Sequence, residues 1–126
     1  MVEVAGRPLF LKCEHLQPIG AVKSRGAFTA IDRLGAAGRA GGVVASSSGN
    51  HGQAVAWAAH RFGIRSVVVM PESAPGVKVA GVERHGGEAV FAGRSRPPER
   101  QARADGFAAE EGLTQEYLWL KERLGK

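Results

Sequence analysis

An α/β fold, a three-layer αβα sandwich on a parallel sheet, is what the sequence predicts. Three observations predict it. Short β-branched runs alternate with helical periodicities, glycine and proline clusters separate them at regular intervals, and 126 residues with 44% hydrophobic side chains suffice for one buried core. Strand, helix, strand, helix in that order needs right-handed βαβ crossovers, which place helices on both faces of the sheet.

Leu9-Phe10-Leu11 is the first extended candidate. Ala27, Ile31 and Leu34 recur at helical spacing, and Gly41-Gly42 then introduces Val43-Val44, the first buried strand. Val55, Ala58, Ala59 and Phe62 share one face of the next helix, on which Trp57 and Phe62 are expected to serve packing. Val67-Val68-Val69 forms the next strand and Pro71 to Gly76 the turn beyond it. Val79 and Val82 mark a helix that closes at His85-Gly86, and Ala89-Val90-Phe91 is the following strand. From Pro97 onward the composition is helical, with Leu113, Tyr117, Leu120 and Leu124 at roughly helical spacing and no strand expected afterwards.

Composition excludes several classes of function. The formal net charge is +5, but the arginines are scattered; the densest group, Arg94, Arg96, Arg100 and Arg103, is interrupted by Pro97, Pro98 and Glu99 and has no interleaved aromatic. A solvated basic face is expected there, and no nucleic-acid partner. No apolar run reaches membrane-spanning length, and no basic segment followed by an apolar stretch opens the chain. Cys13 is the only cysteine, so no intrachain disulfide is possible, no metal site is expected, and a reducing cytoplasm is the expected compartment.

Two stretches carry chemistry. In Lys12-Cys13-Glu14-His15-Leu16-Gln17-Pro18-Ile19-Gly20-Ala21-Val22-Lys23-Ser24-Arg25-Gly26-Ala27 the turn residues Pro18 and Gly20 precede the apolar period, which puts Lys23 in the first turn of a helix. Cations are disfavoured at the positive end of a helix dipole, and the free amine is the form of lysine that attacks an aldehyde. Spacing alone favours a solvated lysine at a helix start, and Arg25 is expected only to pair with a helix-face acid. The second stretch, Ala45-Ser46-Ser47-Ser48-Gly49-Asn50-His51-Gly52-Gln53-Ala54, falls between a strand and a helix. Ligands of open α/β sheets bind at the carboxyl ends of the strands, and N–H groups converging there suit a carboxylate or phosphate. Ordinary capping by Ser48 or Asn50 is the other reading. The loop has neither the lysine of a P-loop nor the first glycine pattern of a dinucleotide fold.

Together the two stretches resemble the fold type II pyridoxal-phosphate-dependent enzymes, in the group of serine/threonine dehydratases (ammonia-lyases) and serine racemases. The resemblance continues through Val69-Met70-Pro71-Glu72-Ser73-Ala74-Pro75, Lys78-Val79 and Gly86-Gly87-Glu88-Ala89-Val90, and covers roughly Pro8 to Leu113. It implies pyridoxal 5'-phosphate as cofactor and a small amino acid as substrate. The implied reaction is dehydration of a 2-amino-3-hydroxy acid to a 2-oxo acid and ammonia. Lys23 is then the catalytic lysine, which carries the cofactor as a Schiff base and takes the substrate's α-proton. Ser47, Ser48, Gly49, Asn50 and His51 match the loop that holds the substrate carboxylate, and Asn50 also matches the residue on the cofactor's ring hydroxyl. Ser48 matches the serine with which racemases protonate the opposite face, so serine racemase-like activity stays open. Lys78 reads as a surface lysine.

The match departs in two places. Val22 stands where the family carries an aromatic, whose loss weakens cofactor stacking by about 1 kcal/mol. The run of glycines that clamps the cofactor phosphate is absent, since Gly41-Gly42 and Gly86-Gly87 belong to early turns. The chain is accordingly expected to be a truncated, incomplete version of the family architecture. Residues 1–38 form the lysine-bearing segment, 39–113 the small substrate-closing domain and 114–126 an amphipathic tail unlike the family. Exposed apolar surface, a homo-oligomer or a separately encoded complementary domain are the expected consequences. A non-catalytic interaction module is the alternative to an enzyme.

Overall fold

The computed structural model describes residues 2–93 and 97–116, with side chains described from residue 5 onward except at 94–96. Four parallel strands lie in the order β5-β4-β3-β6: β3 is Val43–Ser46, β4 Ser66–Met70, β5 Glu88–Phe91 and β6 Thr114–Gln115. A separate antiparallel hairpin pairs β1, Val2–Val4, with β2, Arg7–Leu9. The extended segment near the N-terminus is thus shifted from Leu9-Phe10-Leu11 to Arg7–Leu9. Ala5 and Gly6 both have positive φ, 51° and 70°, and turn the chain there, which sets the register. Phe10 and Leu11, beyond the hairpin, are 77% and 64% exposed.

The helices are α1, Lys23–Arg33; α2, Gly35–Arg39; α3, Asn50–Arg61; α4, Gly76–Arg84; and α5, Pro97–Glu111. They cover both faces of the sheet. Val43 and Ala45 pack against Ala27 and Ile31 of α1 and against Ala54, Val55, Ala58 and Ala59 of α3, while Val68 and Met70 meet Ala56 and Val82. On the opposite face Val44, Val67 and Val69 meet Ala104 and Phe107 of α5 and Leu113. The predicted three-layer α/β sandwich is the observed one. Residues buried on both faces explain why β3 and β4 read as continuous apolar runs. Full burial of each of these valines contributes roughly 1.5–3 kcal/mol. At the entrance to β3, Gly42 has φ +91°, and a Cβ there would sit 2.6 Å from the Arg65 carbonyl oxygen.

Two sequence expectations fail at the far end. A strand does follow α5: Thr114 N–H donates to the Gly42 carbonyl and Glu116 N–H to that of Val44, making β6 the neighbour of β3. The helical reading of Leu113 to Leu124 fails at its start, because Leu113 is drawn into the α5 face of the core and the next two residues are extended. Tyr117, Leu120 and Leu124 lie outside the described residues.

α1 and α3 run in the same sense. The Arg39 guanidinium donates to the Ile31 and Asp32 carbonyls in the last turn of α1 and lies 4.7 Å over the ring of Phe62, the residue that ends α3. Phe28 stacks on Phe62 and tilts against Trp57, confirming Trp57 and Phe62 as packing residues. With their C-terminal ends joined and their flanks packed, the two helices bring their N-termini to one end of the layer.

Candidate active site

Those N-termini carry the two stretches singled out in the sequence. Lys23 is the first residue of α1, is exposed, and makes no ion pair or hydrogen bond among the described residues. The approach to it is bent. Ile19, a β-branched residue, has φ 65°, outside the range such residues ordinarily occupy, and Gly20 follows with φ 69°. Ile19 is held there by packing against the core cluster of α1 and α3. Glu14 fixes the preceding turn, with its carboxylate 3.3 Å from Lys12 Nζ and 3.5 Å from the Arg25 guanidinium. Arg25 pairs with an acid as expected, but with Glu14 of the preceding turn and not with one on the helix face.

Ser47 to His51 lie between the end of β3 and the first turn of α3. Ser47 is 8% exposed, and its N–H donates to the Val69 carbonyl. Its Oγ accepts the N–H of Gly49 at 3.2 Å and that of Gly52 at 2.9 Å. The capping oxygen is therefore that of Ser47 and not that of Ser48 or Asn50. Three consecutive serines leave the choice open, and the direction of the chain leaving β3 makes it. Gly52 permits this turn because a Cβ would lie 2.7 Å from Val68 Cγ1 and 3.3 Å from Ser47 Oγ. With Ser47 filling the cap, the N–H groups of Ser48, Asn50 and His51 have no acceptor among the described residues. Ser48 is exposed at the tip.

Two further contacts were not legible beforehand. Lys78 Nζ, on α4, donates to Asn50 Oδ1. An ammonium can only donate, so the Asn50 oxygen is committed to it and the amide NH2 is left for another acceptor. Lys78 is thus a partner of the loop and not merely a surface lysine. Glu116, just past β6, reaches His51 Nε2 at 2.6 Å. Neither pairing has a sequence signal, because each depends on how separate elements pack. Among the described residues no group of histidine, cysteine or carboxylate side chains could hold a metal ion, and no helix is long and apolar enough to cross a membrane.

A profile of the family described as "Pyridoxal-phosphate dependent enzyme" matches residues 1–121. The chain belongs to this pyridoxal-phosphate-dependent enzyme family. The chain is 42% identical over 109 residues to an L-threo-3-hydroxyaspartate ammonia-lyase of a Pseudomonas species, an alignment covering 86% of this chain and 34% of that protein. It is 39% identical over 112 residues to a biosynthetic L-threonine dehydratase of Pasteurella multocida, covering 89% of the chain and 22% of the relative. Among solved structures, maize serine racemase superposes with a TM-score of 0.79 at 32% identity, over 91% of this chain and 39% of that one. The chain therefore spans about a third or less of the length of these curated relatives. The fold type II resemblance read from the two stretches is the family found, and its members depend on pyridoxal phosphate.

Proposed function

We propose that this chain supplies the lysine and the carboxylate-binding loop of an amino-acid ammonia-lyase acting on a small 2-amino-3-hydroxy acid. The observation that carries the reading is the convergence, at one end of the α1/α3 layer, of an unpaired lysine amine with a loop whose cap is already satisfied from within. The donor set fits pyridoxal phosphate. Lys23 offers an unpaired Nζ for the aldehyde carbon, and the Asn50 amide NH2 suits the ring oxygen. No described residue supplies a run of glycine amides for the phosphate ester, so the reading assigns the chain only the aldehyde and ring-oxygen contacts.

When bound, pyridoxal phosphate supplies an electron sink for the pair released at the substrate's α-carbon. The chain's own residues do the rest. The free N–H groups of Ser48, Asn50 and His51, at the positive end of α3, bind and orient the substrate carboxylate. Lys23 Nζ takes the α-proton as general base. Fixing the carboxylate fixes the direction of the Cα–H bond, and Ser47, buried and bonded twice to the loop, keeps that geometry from drifting. A cytoplasmic setting fits the single exposed cysteine.

Serine racemase-like activity is the second reading, favoured by the exposed Ser48 hydroxyl, which is free to deliver a proton from the other side. The test is the absorbance of the purified chain with added pyridoxal phosphate, alongside Lys23→Ala. A band at the blue end of the visible in the parent alone supports the reading, and assays of L-serine and L-threonine for 2-oxo acid against D-serine then separate the two activities. Identical spectra would refute it and favour an interaction module that depends on a separate cofactor-binding partner.

A further inference from the structure

We infer that Glu116 is the positioning residue for His51, a role that rests on reading Ser47 to His51 as the carboxylate loop. Glu116 is 5% exposed, although it lies only one residue beyond a two-residue strand. Its N–H donates to the Val44 carbonyl, which locks its position beside β3 on the way to the loop. One carboxylate oxygen lies 2.6 Å from His51 Nε2, within hydrogen-bond distance, and the other is buried without a partner among the described residues. Buried carboxylates are rarely left in this condition unless a neighbouring donor holds them. Among the described residues, His51 is that donor.

The chemistry of the pair fixes the ring. The Nε2–carboxylate contact shares one proton between the two groups, and the ring can no longer rotate freely at the loop. The imidazole is one-third exposed, its side chain being at 34%, so one part is gripped by Glu116 while the remainder is open to solvent. The grip comes from the strand that closes the edge of the sheet, not from the helix that bears the histidine. It ties the loop's geometry to docking of β6.

The proton signal of His51 Nε2–H provides the test, because a ring N–H is visible by NMR only when a hydrogen bond slows its exchange with water. His51→Gln removes the signal and assigns it. Glu116→Ala is expected to erase it while leaving the other histidine signals in place. Glu116→Gln, which keeps an acceptor without charge, is expected to retain the signal but move it upfield. In the cofactor-loaded protein, Glu116→Ala is expected to raise the KM for L-serine about tenfold, with recovery of most of that loss in Glu116→Gln. Persistence of the signal in Glu116→Ala, an unmoved signal in Glu116→Gln, or an unchanged KM in Glu116→Ala would each overturn the inference. Failure of the parent to take up cofactor would sink the proposed function alone, since the NMR signal does not require it.

Discussion

The starts of α1 and α3 lie at the same end of one helical layer and are built in opposite ways. At α3, a buried serine emerging from β3 accepts two loop N–H groups, and its neighbours are the buried valines of β4. At α1, Val22 makes no side-chain cap, is 44% exposed, and is preceded by Leu16 at 76% and by an isoleucine in the left-handed region. A non-glycine residue in that region costs roughly 1–3 kcal/mol. The fold therefore builds one helix start that is braced from within and beside it one whose lysine follows a segment with exposed apolar side chains. On the proposed function, a lysine that exchanges partners gains from the less braced start, whereas a loop that only orients a carboxylate gains from the braced one.

The contrast can be broken most severely at Gly52. Gly52→Ala forces a methyl against Val68 within the core, and a loss of about 1–3 kcal/mol is expected in urea denaturation. Ser47→Ala is expected to cost about 1 kcal/mol, because the Gly49 and Gly52 N–H groups lose their acceptor; cofactor absorbance at Lys23 should survive the change. His85, remote from both helix starts, sharpens the contrast through pH. Burial, then Arg84 and His60, hold its pKa below the usual imidazole value. Between that lowered value and about 6.5 the unfolded chain binds the proton more readily, so stability is complete above about 6.5 and falls as the solution is acidified through the window. His85→Gln should flatten that slope in denaturation midpoints measured across the range, without altering either loop. The smallest change is expected for Lys23→Ala, within about 0.5 kcal/mol of the parent in the same denaturation experiment, because its side chain is exposed and unpaired. A large loss there would show that the α1 start is as structural as that of α3.

How legible each region was follows from where its determinants lie. β3, β4 and the apolar faces of α1 and α3 were readable because burial on both sides of a sheet, or on one side of a helix, writes itself into local periodicity. The position of Lys23 followed from Pro18, Gly20 and Ala27, all nearby in sequence. Ser47 stood out in the sequence, but its role as the cap did not, since three serines in a row differ only in the path of the backbone. Lys78 and Glu116 escaped because their partners stand 28 and 65 residues away. β6 escaped because two residues carry no alternation, and its existence depends on the open edge of β3.

That outermost strand also sets an order of assembly. β3, α3 and β4 can collapse on one another as soon as they leave the ribosome, whereas the clasp between Glu116 and His51 must close a loop of 65 residues. Contacts of such separation bear the greatest chain-closure entropy and form late. A nascent chain thus acquires its serine-capped turn before its histidine is secured, and β6 brings the histidine's partner from beside β3.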